Sequence, residues 1–169
     1  MTYRFRAAVV LAGLTVGTAS AAGAQTAPQP AQAPRQETAV TTRATGPFEV
    51  RMAPLPTDAA PVGRMSLDKT YRGDLEATAN GEFLSAITAV EGSAGYVAIE
   101  TVTGTLHGRS GTFMLQHSGT MDRGAPSLTI TIVPDSGTGA LAGITGTMRI
   151  VMEGGAHGYE LDYTLPASP

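Results

Sequence analysis

The 169-residue sequence contains no cysteine. That absence excludes a disulfide framework and a lipid-modified cysteine anchor, so packing and sheet hydrogen bonds must hold the chain together. Histidine is scarce: His107, His117 and His157 are the only three, and none has the close spacing that zinc sites use. No window carries a helical stripe of apolar residues. The serines lack the "GxSxG" context of a nucleophile elbow. The glycines of "GTGALAGITG" lack both the Lys-Ser/Thr pair of a phosphate loop and a following helix to cradle an anion. Asp74, Glu76 and Glu82 lie near a turn but do not have the alternating ligand spacing of a calcium loop, so an exposed acidic strand is the better reading. No metal and no cofactor are expected.

The first 25 residues, "MTYRFRAAVVLAGLTVGTASAAGAQ", have the three parts of a secretory signal. Arg4 and Arg6 precede an apolar run from Ala7 to about Ala19, and the small-residue sites "ASA" and "AGA" follow it. The run is interrupted by Gly13 and Gly17 and falls short of the ~20 residues that span a bilayer. Cleavage after Ala24 is expected, leaving an exported product, periplasmic or secreted, with no membrane span in its mature form. That product carries nine basic residues against fourteen acidic ones, a net charge of −5 with neutral histidines, which argues against nucleic acid as its partner.

Residues 25–46, "QTAPQPAQAPRQETAVTTRATG", have the Ala/Pro/Gln/Thr-rich composition of a disordered tether. From 47 to 166 nearly every segment alternates with period two and ends in Gly, Asp, Asn or Pro, the pattern of short antiparallel strands. Strands are expected near 48–53, 63–73, 74–87 with a bend at Asn80-Gly81, 95–107, 110–121, 126–134, 143–153 and 158–165. Eight strands with no helix to cover a sheet face suggest an all-β, up-and-down antiparallel barrel that closes on itself and removes its edges, with a β-sandwich as the alternative.

Within "VAIETVTGTLHGRSGTFMLQHSG", Gly108-Arg109 suits the centre of a type II′ turn, which would pair Leu106 with Gly111, Gly104 with Phe113, Val102 with Leu115 and Glu100 with His117. Tyr96, Ala98, Val102, Leu106, Phe113 and Leu115 then share the inward face. Later strands extend that face through Met121, Leu128, Ile130 and Ile132, then Ile144, Met148, Ile150 and Met152, and finally Tyr159, Leu161, Tyr163 and Leu165. Glu100 and His117 interrupt this apolar face as a pair of ionisable groups. Neither charge is easily buried alone, so they form the candidate catalytic or binding pair, with a structural role in fixing register as the competing reading. A register slip of one would turn Gln116 inward in place of His117. Val97, Ile99 and Met114 fall on the outer face and leave room for an apolar patch.

The segments "YRGDLEATANGEFLSA", "LHGRSGTFMLQHSG", "VPDSGTGALAGITG" and "HGYELDYTL" resemble the bacterial domain-of-unknown-function family 3224, over about Phe48 to Leu165. The resemblance implies a small, calycin-like eight-stranded barrel similar to allene oxide cyclases and dirigent proteins, which use the lumen to bind or fold a small organic molecule. It does not imply their reaction, because no cyclase catalytic residue can be matched onto this chain. The resembled barrels often associate, so a small homo-oligomer is expected. Three functions remain open. The first is a binding barrel for a small, mostly apolar ligand, with Tyr96, Val102, Phe113, Leu115, Ile130, Tyr159 and Tyr163 lining the pocket and Glu100 and His117 orienting a polar group. The second is a cyclase or isomerase with His117 as general acid or base, positioned by Glu100. The third is a structural envelope module whose barrel is filled by its own side chains.

Overall fold

A computed structural model of the chain describes residues 40–58 and 60–167. The leader at 1–24 and the expected tether up to residue 39 lie outside the described residues. Eight strands run in order: β1 (Thr42–Leu55), β2 (Val62–Tyr71), β3 (Leu75–Ile87), β4 (Ala94–Leu106), β5 (Arg109–Asp122), β6 (Ala125–Ile132), β7 (Thr145–Glu153) and β8 (Ala156–Thr164). Each pairs antiparallel with the next, and β8 returns to β1, closing an up-and-down barrel. Among the described residues the only helical piece is one 3-10 turn, Gly139–Leu141.

Three tight hairpins share one device. His107-Gly108, Arg123-Gly124 and Gly154-Gly155 all have positive φ at both central positions (46° and 78°, 47° and 90°, 57° and 85°), the signature of type I′ turns. The β4–β5 turn therefore centres on His107-Gly108 rather than Gly108-Arg109, so Leu106 pairs with Arg109. The expected pairs are corrected accordingly: Gly104 faces Gly111, Val102 faces Phe113 and Glu100 faces Leu115. Because the slip is two residues, every side chain keeps its expected face.

Strand β1 begins at Thr42, inside the segment expected to be tether. Its first residues close the barrel through the register Thr42↔Tyr163 to Pro47↔Gly158. Ala44 is fully buried there, and Arg43 grips Asp162 with two hydrogen bonds of 2.7 Å. The inward positions of this stretch, Ala44 and Gly46, are small because the barrel is tight at the seam. A Cβ on Gly46 would strike the Arg72 backbone and come within 3.0 Å of the Tyr159 hydroxyl.

The interior differs between the two ends. At the end bearing the β2–β3 and β4–β5 turns, Tyr71, Leu75, Leu106, Phe113, Tyr159 and Leu161 pack into one cluster. The β6–β7 connection folds back along the start of β5, with Val133 N donating to Met114 O and Thr138 N to Thr112 O, and buries Leu141 and Ile144 in the same cluster. At the opposite end, inward-facing Met52, Met121, Leu128 and Met152 are 39%, 43%, 41% and 58% exposed. Alternation assigned the last three to the interior. Their parity agrees, but they stand at the rim, where the β6–β7 seam has already ended. That seam pairs only Ile130 with Met148 and Thr131 with Thr147, so the strands part toward the rim.

Candidate functional site

Glu100 on β4 and His117 on β5 meet inside the barrel near mid-height. The His117 imidazole donates from Nε2 to Glu100 Oε1 over 3.0 Å. Two further donors converge on the same oxygen: Lys69 Nζ at 2.8 Å and the Tyr71 hydroxyl at 3.0 Å. Both come from β2, across β3. Lys69 pairs with Ala79 and Glu100 with Gly81, so β3 presents only small side chains where the two must reach one another. A Cβ on Gly81 would lie 2.7 Å from the Glu100 Cα. The Lys69 ammonium also sits 5.3 Å from the Phe48 ring centroid and 5.8 Å from that of Tyr71, within cation–π range.

Burial alone would push the Glu100 carboxyl up, but the His117 hydrogen bond, the Lys69 charge, the Lys69 hydrogen bond and the His117 charge together outweigh it and hold the group below its ordinary value. Glu100 is therefore a carboxylate at neutral pH. Burial first, and the Glu100 charge second, hold the Tyr71 phenol well above its ordinary 10.0, so it stays protonated and donates. The second carboxylate oxygen, Oε2, is buried without a hydrogen-bond partner among the described residues.

The cluster has two layers. Glu100 has no exposed surface, whereas the side chains of Lys69 and His117 keep 5% and 4% of theirs. Both side chains point inward and meet at Glu100 Oε1. One Lys69 ammonium hydrogen and the His117 Nδ1 have no partner among the described residues.

The other sequence-derived candidates divide between the ends. Tyr96 is half-buried toward the open end, stacked on Phe83 with ring centroids 4.6 Å apart and lying against Gly119. Ile130, beside His117 in the register, is buried at the same level. Val102, Phe113, Leu115, Tyr159 and Tyr163 belong to the packed cluster. Their hydroxyls act as clips for the turns: Tyr159 accepts from Leu75 N at 2.8 Å and donates to Arg72 O at 3.1 Å, while the Tyr163 hydroxyl bonds His107 Nδ1 at 2.8 Å. Burial pushes the Tyr159 hydroxyl up to about 12. His157 lies near the rim, its ring 5.2 Å from that of Phe48. The three acidic residues have separate uses: Asp74 accepts from Thr45 N, Glu76 from Gly73 N, and Glu82 pairs with Arg64.

Sequence reasoning missed Lys69 and Tyr71. The signal was present in "SLDKTYRG", where Leu67, Lys69 and Tyr71 share one parity, so a lysine occupies an apolar position just as Glu100 and His117 do.

The model of the family described as "Protein of unknown function (DUF3224)" matches residues 44–163. The chain belongs to this family. A crystal structure at 1.84 Å of a DUF3224 protein of unknown function from Shewanella oneidensis MR-1 is similar, with 50% sequence identity and a TM-score of 0.73. The likeness covers 76% of this chain and all of that one. No curated protein matches.

Proposed function

We propose that this DUF3224 barrel binds a small, mostly apolar molecule in the half of its lumen that opens between the rim methionines and the Lys69–Glu100–His117 floor. The observation that carries the reading is the exposure of inward-facing Met52, Met121, Leu128 and Met152 above a buried charged cluster. A barrel that only needed filling would bury those side chains. Apolar walls with a few fixed polar groups are the ordinary make-up of a small-molecule site, and methionine adapts to irregular ligand shapes. The buried ion pair supports the same reading, because apolar residues of equal volume would commonly serve stability as well or better.

The leader-like sequence at 1–24 supports export, and the N-terminus of protein recovered outside the cytoplasm tests it, with Gln25 as the expected first residue. Catalysis by His117 is a second reading, favoured by its unpartnered Nδ1. It requires turnover that His117→Gln abolishes.

The binding test is titration of the purified protein with the neutral dye 1-N-phenylnaphthylamine, followed by native mass spectrometry for a co-purifying molecule. Saturable fluorescence enhancement at one site per chain, lost in a Met152→Glu, Leu128→Glu variant that keeps its fold, is expected. Absence of dye uptake and a clean apo mass would instead favour a barrel filled by its own side chains.

A further inference from the structure

We infer that the outer face of β4, β5 and β6 is a self-association surface, on which a second copy of this chain packs about a two-fold axis near Ile99. The surface lies on the outside of the barrel wall and does not depend on what the lumen holds.

Charge is spread unevenly around that wall. Each of the other five strands turns at least one charged residue outward: Arg51 on β1, Asp68 on β2, Glu76 on β3, Arg149 on β7 and Asp162 on β8 are examples. Along β4, β5 and β6 the ionisable residues are Glu100 and His117, which are turned inward, and Arg109 and Asp122, which stand at the hairpin ends. The outward positions between those ends are uncharged.

This uncharged face has an apolar centre. Val97, Ile99 and Met114 are 51%, 46% and 39% exposed, and Leu84 of β3, opposite Val97, is 41% exposed. Ile99 pairs with Gln116 and Thr101 with Met114, so the apolar side chains occupy neighbouring positions of one sheet surface, surrounded by threonines, serines and Gln116. Glu82 stands opposite Ile99 in the register, but two hydrogen bonds from Arg64 of β2 hold it on the far side of β3. An apolar middle depleted of charge within a polar surround is the make-up of a protein interface.

The occupant that fits is a second copy. Each chain carries a net charge of −3, so two copies approach at least cost through the side that bears none. A partner recognised by charge finds nothing here to pair with. A two-fold axis sets the same patch against itself, and two sheets pack face to face about 10 Å apart. The face is four strands wide from Leu84 to Thr131 and nine residues long from Gly95 to Thr103, about 19 Å by 30 Å. A pair would bury about 1,100 Å², above most packing contacts and just below the range of stable complexes. The dimer is therefore reversible, with a Kd that is roughly micromolar.

Sedimentation velocity of the purified protein from about 1 to about 200 μM tests this, with a shift from monomer to dimer expected across the range. Ile99→Lys sets two ammonium groups against each other across the axis and should raise the Kd at least about tenfold. Ala53→Lys adds the same charge at an exposed outward position of β1, on the opposite wall, and should leave the Kd unchanged. Met114→Lys gives the same reading should Ile99→Lys lose its native circular dichroism. Because no ion pair crosses the contact, raising salt from about 50 to about 500 mM should not weaken it. The natural chain has no cysteine, so a short bismaleimide should link Ile99→Cys into dimers and leave Ala53→Cys monomeric. A protein that stays monomeric at about 200 μM would overturn the inference. A dimer that survives both lysine variants, or that salt dissociates, would overturn the assignment to this face. A closed trimer linked through Ile99→Cys would overturn the two-fold arrangement.

Discussion

Replacing Lys69 by methionine removes the ion pair at 2.8 Å while keeping most of the apolar stem. Glu100 has no exposed surface, so its carboxylate is left with only Tyr71 and His117 as donors. Losing one partner of a buried pair typically costs about 3–5 kcal/mol, against a total stability of roughly 5–15 kcal/mol for a domain. For a barrel of this size that corresponds to a fall in Tm of roughly 10–20 °C near neutral pH. The variant can recover part of the loss by binding one proton on Glu100. Removing the Lys69 charge and hydrogen bond takes away two of the causes that hold the Glu100 carboxyl down and leaves burial pushing it up, so a contribution from the protonated carboxyl is present at low pH and lost as pH rises. The deficit relative to wild type should therefore narrow as pH falls from about 8 to about 5, by at most about 1.4 kcal/mol per pH unit. Adding Glu100→Gln removes the stranded charge and should bring stability back to within about 1–2 kcal/mol of wild type. Urea unfolding at several pH values, with the slope checked for constancy, measures all three. A Lys69→Met cost below about 1 kcal/mol that does not change with pH would refute the reasoning, because it would mean that the pair is effectively solvated.

The wild type should behave oppositely in acid. Glu100 is held below its ordinary 4.5, so its contribution is complete above that value and is lost as pH falls through the lowered one, which acid-unfolding curves of wild type and Glu100→Gln would separate. Gly81→Ala should cost about 1–3 kcal/mol by thermal melt, because the added methyl overlaps the Glu100 backbone. A chain starting at Val40 should melt within about 2 °C of the full-length protein, whereas one starting at Phe48 loses the β1–β8 seam and should melt without cooperativity by circular dichroism. Met152→Glu, at a rim position, should change stability by no more than about 0.5 kcal/mol while weakening dye binding severalfold.

Much of this architecture was legible because barrel strands alternate and their turns are chemically marked. The family resemblance carried by "LHGRSGTFMLQHSG" and "VPDSGTGALAGITG" pointed to the same barrel. The start of β1 was not legible: Ala44 and Gly46 face inward at a tight seam, and small residues carry no apolar signal. The β4–β5 register was also misread, because "HGR" accommodates glycine either first in a type II′ turn or second in a type I′ turn. His107 takes a φ of 46°, which decides for the second, and nothing local in the sequence announces it. Glu100 and His117 were found in spite of this. A slip of two residues leaves parity intact, and diagonal neighbours on adjacent strands remain within reach of long side chains. Lys69 escaped notice because its meeting with Glu100 depends on a third strand. Only closure of β2, β3 and β4 with small residues at Ala79 and Gly81 brings the ammonium across.

The geometry at Glu100 bears on why the cluster exists. Three donors crowd onto Oε1 while Oε2 stays buried and bare, a penalty of about 1–3 kcal/mol for an unsatisfied buried acceptor. If the carboxylate served only to fix register, donors spread over both oxygens would do so at lower cost. Convergence on one oxygen instead draws the Lys69 ammonium, the Tyr71 hydroxyl and the His117 imidazole together around Glu100. At the packed end, Tyr159 and Tyr163 use their hydroxyls to tie the turns. At the other end the seam between β6 and β7 parts and the methionines stand exposed. The costly arrangement around Glu100 thus lies between a packed end and an end whose inward-facing side chains are exposed.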